Sequence, residues 1–213
     1  MFHNRRRLGA VRVPFVAAAV GGSTNTWNPA DTYAPYTTFS SGNLTLTKNT
    51  GSFFAGTRAV GSASTGKYYW EVHMDVLVGQ IGLGIANAAA NLPGYAGNDN
   101  NEIGWSVGPA GGGNIFFNNA FKGTVSSAVT GDTCCVAWDG GNKKIWFRTN
   151  GGNWNNSGSD NPATNTGGTD ISTLNAGPYF AGIVMETLND AATANFGATA
   201  FAHTMPSGFT RWP

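Results

Sequence analysis

The feature that most constrains this chain is a series of short stretches in which apolar and polar residues alternate, each closed by glycine, asparagine or aspartate. "KYYWEVHMD" (67–75) puts Tyr68, Trp70, Val72 and Met74 on one side of a strand, and Tyr69, Glu71, His73 and Asp75 on the other. Similar stretches recur at 43–48, 57–60, 78–86, 102–107, 114–118, 133–139, 143–149, 179–186 and 192–197. Between them stand turn formers: "AGNDNN", "GPAGGG", "WDGGNK" and "TNGGN". "DGGNK" between two apolar runs predicts a tight hairpin. No helical period of useful length appears outside the N-terminal segment. About ten short antiparallel strands predict an all-β fold, a two-sheet antiparallel sandwich.

Composition narrows the function classes. Charged residues make up 11% of the 213, against a usual quarter or so, and the net charge is +1. No overall field points to nucleic acid. No apolar run is long enough to span a membrane. Cys134 and Cys135 are neighbours. Adjacent Cα atoms lie about 3.8 Å apart, too close for an ordinary disulfide, and on a strand the two thiols point to opposite faces.

The first 22 residues differ from the rest. Arg5, Arg6, Arg7 and Arg12 are interleaved with Leu8, Val11, Val13, Phe15, Val16 and Val20, and Gly21-Gly22-Ser23 reads as a linker. The start resembles a signal peptide, but Arg12 and Pro14 interrupt its apolar part. Residues 1–22 are expected to be an anchor that docks onto another protein, with Arg5, Arg6, Arg7, Arg12 and Phe15 as its contacts, and residues 23–213 the sandwich domain.

The ordered set "TWNPADTYAPYTTFSSGNLTLT", "GKYYWEV", "GLGIA", "EIGWSV", "GDTCCVAWD", "KIWFRTNGG", "GPYFAGI" and "ANFG" resembles the motifs of SPRY domains over roughly residues 26–210. The spelling is most similar to that of bacteriophage and bacterial members. It departs from them at Cys134 and Cys135, where members usually carry Ile and Gly. The resemblance implies a bent, concanavalin-like β-sandwich that binds partners through loops at one end, with no catalytic residue, metal or cofactor. It also implies a virion setting: a structural protein such as a fibre, head decoration or collar component. There the chain would be present in repeated copies or as a homo-oligomer, against other virion proteins and a host-surface glycan or protein.

Two other readings compete. "EVHMD" is similar to the strand of some sandwich glycosidases that carries alternating carboxylates. It lacks the central Asp, however, and on an ideal strand Glu71 and Asp75 sit about 13 Å apart at Cα, while retaining hydrolysis wants the carboxyl groups about 5–5.5 Å apart. A Glu tied up structurally is the simpler expectation. The third reading is an intracellular adaptor that binds a peptide. Trp70, Trp105, Trp138, Trp146 and Phe196 are expected in the core. Trp154 stands in the long polar loop 150–170 and reads as exposed. With Asn155 and Asn156, and with Tyr95 and Asp99 of a second polar loop, it forms the expected ligand-binding set.

Overall fold

The computed structural model describes residues 23–32, 35–51, 53–92 and 94–213. The expected anchor contacts Arg5, Arg6, Arg7, Arg12 and Phe15 lie outside the described residues. The strands are β1 (Trp27–Thr32), β2 (Thr37–Ser40), β3 (Thr45–Lys48), β4 (Ala55–Ala63), β5 (Lys67–Val76), β6 (Ile81–Asn87), β7 (Glu102–Val107), β8 (Asn114–Phe117), β9 (Ala120–Thr124), β10 (Thr133–Asp139), β11 (Lys144–Thr149), β12 (Thr169–Asp170), β13 (Tyr179–Met185), β14 (Ala191–Asn195) and β15 (Thr210–Arg211). The described residues hold no α-helix, only 3-10 turns at Trp154–Asn156 and Pro162–Thr164.

These strands build two sheets. Sheet one runs β1-β4-β13-β6-β7-β8-β9, and sheet two β12-β11-β10-β5-β14-β3-β2. Every pairing on these paths is antiparallel. β15 is the exception: it runs parallel to the start of β5, opposite Tyr68 and Tyr69, along the length of β5 that β14 leaves free by pairing only from Glu71 onward.

Alternation explains the core. Ile81, Leu83 and Ile85 of β6 and Ile103, Trp105 and Val107 of β7 turn inward, toward Trp70, Val72 and Met74 of β5 and Val136 and Trp138 of β10. Aromatic rings close the gap between the sheets: Trp105 to Phe147 at 5.6 Å and Trp138 to Tyr179 at 5.5 Å. Trp27 meets Phe196 edge-on at 5.0 Å. The expected hairpin joins β10 to β11, and the Asp139 carboxylate fastens it by accepting from Asn142 N–H at 3.0 Å and its side-chain amide at 2.7 Å. Burial pushes that carboxyl up, but the bonds from Asn142 and Lys67 outweigh it and hold Asp139 below the usual carboxylate range.

Both sheets are also covered on the outside. On sheet two, Tyr69, Cys135, Ala137, Trp146, Trp154 and Phe209 form a second apolar cluster, with Phe201 and Met205 against it. Trp146 is therefore core, but of this outer cluster. Cys134 faces the main core and Cys135 the outer one; both thiols are free, and burial pushes both up, Cys135 to about 11. On sheet one, the chain around Ala96 lies flat against β6 and β7. A Cβ on Gly104 would stand 2.1 Å from that of Ala96, so only glycine admits the contact.

Candidate binding surface

The polar face of β5 splits into two environments. Glu71 is only 2% exposed. Its Oε1 accepts from the Tyr69 hydroxyl at 2.6 Å and from His203 N–H at 2.8 Å, and its Oε2 from Ala202 N–H at 2.7 Å. Glu71 thereby pins the 196–209 segment over sheet two. Burial, then Cys135 and Glu71, pushes the Tyr69 hydroxyl far above its ordinary value, so it remains a donor. His73 and Asp75 are exposed. Asp75 Oδ2 accepts from Thr193 Oγ1 at 2.6 Å, and His73 Nδ1 lies 3.3 Å from Thr133 Oγ1. Glu71 and Asp75 thus have separate partners, one at the buried end of the strand and one in solvent. Among the described residues no three of His, Cys, Asp and Glu group to hold a metal ion.

The structure does not gather the expected loop residues into one surface. Trp154 is a correction: it is 8% exposed, edge-on to Tyr69 at 6.4 Å, with the Arg148 guanidinium 4.3 Å from its ring centroid. What buries it is the outer face of β5, remote in sequence. Asn155 is a turn residue in the left-handed region (φ 47°), and its Oδ1 accepts from Phe147 N–H at 2.9 Å. Asn156 is exposed and accepts from Ser126 Oγ at 3.3 Å. Tyr95 lies on the other sheet, between Phe54 and Phe116, with its hydroxyl bonded to Asn119. Asp99 is occupied by Asn101, whose N–H it accepts at 2.6 Å. Trp154 and Tyr95 therefore cover opposite outer faces.

A different set of residues forms an exposed apolar rim. Phe53 is 64% exposed, Val129 62%, Val78 53% and Leu188 47%. They sit in the β3–β4, β9–β10, β5–β6 and β13–β14 connections. The register puts these at one end of the sandwich: Met185 stands opposite both Ala55 and Ile81, Ala191 opposite Val76, and Thr133 opposite His73.

The base of the rim is tied together. Buried Asp190 accepts through Oδ1 from Val78 N–H at 2.6 Å and Gly79 N–H at 3.2 Å. Its backbone carbonyl accepts from Lys48 N–H at 2.8 Å, and the Lys48 carbonyl from Asn189 N–H at 2.9 Å. Lys48 is itself buried and donates from Nζ to the Thr50 carbonyl at 2.8 Å. Leu77 N–H reaches Thr130 Oγ1 at 2.8 Å. Burial raises the Asp190 carboxyl and lowers the Lys48 ammonium. Exposed apolar tips on a fastened base are the arrangement a protein partner can dock on.

A polar cleft of about 520 Å³ opens between the free edges of β9 and β12, with Lys122, Thr124, Asp160, Asp170 and Thr173 in its walls and Phe117 in its floor. No helix among the described residues is long and apolar enough to cross a membrane.

No family model matches the chain, and comparison with curated protein sequences gives no match. Solved structures do match. The SPRY domain of human HERC1 superposes with a TM-score of 0.61 at 15% identity, over 79% of this chain and 96% of that one. A human SPRY domain gives 0.59 at 16% identity, over 78% and 98%. The TRIM65 PSpry domain gives 0.59 at 12%, over 82% and 93%. The fold is that of SPRY domains.

Proposed function

We propose that this chain is a non-enzymatic, protein-binding module of SPRY type, and that its binding surface is the loop end carrying Phe53, Val78, Val129 and Leu188. The observation behind this reading is that four bulky apolar side chains stand in solvent on loops that Asp190, Lys48 and Thr130 fasten together. Burial of such tips against a partner contributes roughly 1.5–3 kcal/mol each before ordering costs. Glu71 speaks for a structural rather than a catalytic β5, since three donors occupy its carboxylate. The test is photo-crosslinking in the producing cells from position 188, compared with position 47 on the outer face of sheet two. The reading expects one discrete protein adduct from 188, reduced by Phe53→Ser, and none from 47. Equal adducts from both positions would overturn it.

The setting we propose, a bacteriophage particle, rests on motif spelling alone. Its support would be the chain and its crosslinked partner occurring together in purified particles.

A further inference from the structure

A second apolar concavity lies away from the rim, on the outside of sheet two. It is a groove of about 310 Å³ lined by Gly197, Thr199, Ala200, Phe201, Met205, Phe209, Thr210 and Arg211. Phe201 and Met205 remain half-buried, packed on the outer cluster with one side open. Ser23, where the described chain begins, sits at the mouth of this groove: its N–H donates to the Gly197 carbonyl at 3.3 Å and its Oγ to the Trp212 carbonyl at 3.2 Å.

We propose that the occupant of this groove is the segment preceding Ser23 in the same chain, with Val20, Val16 and Phe15 against Phe201 and Met205. Three observations carry this. The chain enters the domain at Gly197, so the segment emerges beside the groove. Gly21 and Gly22 supply a turn there without steric cost. Val20 precedes Ser23 by three positions, and an extended chain covers about 3.3–3.6 Å per residue, so the first apolar side chain of the segment lies within about 10 Å of the mouth of the groove. Tethering also raises the local concentration of the segment to roughly millimolar, so a weak apolar contact suffices to seat it. A second copy or a foreign protein would have to find the same groove without that advantage. Residues 1–22 would then be an arm that covers its own sandwich, where an anchor would reach out to another protein.

The test uses the full chain and a variant altered only in the arm, Phe15→Asp with Val16→Asp, which leaves every described residue untouched. Hydrogen exchange of the 199–210 amides is compared between the two, with light scattering on the same samples. Seating in cis predicts exchange about tenfold faster in the variant, at any protein concentration, with both proteins monomeric. Met205→Lys, which obstructs the groove without altering the arm, should speed tryptic cleavage after Arg12 by a similar factor. Identical exchange in wild type and arm variant would overturn the proposal. So would protection that appears only as the protein dimerises, which would make a second copy the occupant, and so would a Met205→Lys protein cleaved after Arg12 at the wild-type rate.

Discussion

Asp190 captures the backbone N–H of Val78 at 2.6 Å and that of Gly79 at 3.2 Å, just ahead of β6. Alternation alone would start the strand at Val78; with these two amides turned toward a carboxylate of another loop, pairing begins at Ile81. Val78 has its side chain in solvent. A fold contact thus lies at the base of the proposed binding rim.

Replacement of Asp190 by Ala removes an acceptor from two N–H groups at the base of the rim. Leaving buried donors unpaired costs about 1–3 kcal/mol each, so Asp190→Ala is expected to destabilise by about 2–6 kcal/mol and to lower Tm by several degrees. Thermal unfolding checks this. A Tm unchanged to within a degree would show that the carboxylate does not hold the rim.

The apolar tips should behave oppositely. Phe53 and Leu188 touch solvent over much of their surface, so Phe53→Ser with Leu188→Ser is expected to change stability by no more than about 0.5 kcal/mol. Affinity for the partner crosslinked from position 188 should fall by at least tenfold, the loss typical of central apolar contacts above about 1.4 kcal/mol. Titration calorimetry of the double variant, beside its melting curve, separates the two effects.

The elements legible in the sequence are those whose alternation is unbroken. β5, β7, β10 and β11 fall within a residue of their expected bounds, because both ends are set by local turn residues. β1 and β2 were not separable from loop, since Pro29 interrupts one and the other has only four residues. β12 and β15 are two residues each and exist only through their neighbours β11 and β5. Trp154 misled for a related reason: its surroundings in sequence are polar, and its apolar contact, Tyr69, is supplied by a distant strand. The rim was missed because its members stand singly in four separate loops. Only the antiparallel registers bring those loops to one end. Leu188 in "ETLND" did carry a signal, a lone apolar residue inside a turn.

The outer cluster on sheet two is expected to be a second source of stability. Trp154→Ala would leave Tyr69 and the Arg148 stem without their cover and cost about 3 kcal/mol or more. Glu71→Ala would free three donors at once, including the Ala202 and His203 amides, with a cost of similar size. Urea unfolding measures both. In Glu71→Ala, hydrogen exchange at Ala202 and His203 should accelerate more than at Val136 in the main core. Uniform acceleration would show that Glu71 does not pin this segment locally.

Glu102 gives the chain a pH dependence of definite sign. It is buried on the outer face of sheet one, beneath the segment around Ala96 and Asn98, and accepts from Asn98 N–H at 3.4 Å. Burial raises its carboxyl from 4.5 to about 7, against the lowering effect of the Asn98 amide and with a smaller push from Asp99. The folded chain therefore holds a proton that the unfolded chain has released between about pH 4.5 and pH 7. Across that window stability contributed by Glu102 is full at the acid end and is lost as pH rises, by about 3 kcal/mol in all. Glu102→Gln keeps the neutral shape at every pH. The variant should match wild type near pH 5 and exceed it in Tm at pH 8, where wild type must bury a charge. Parallel denaturant titrations at pH 5, 6.5 and 8 give the comparison. A wild-type advantage at pH 8 would mean that the carboxylate is charged in the fold and that its bonds to the 97–98 amides outweigh its burial.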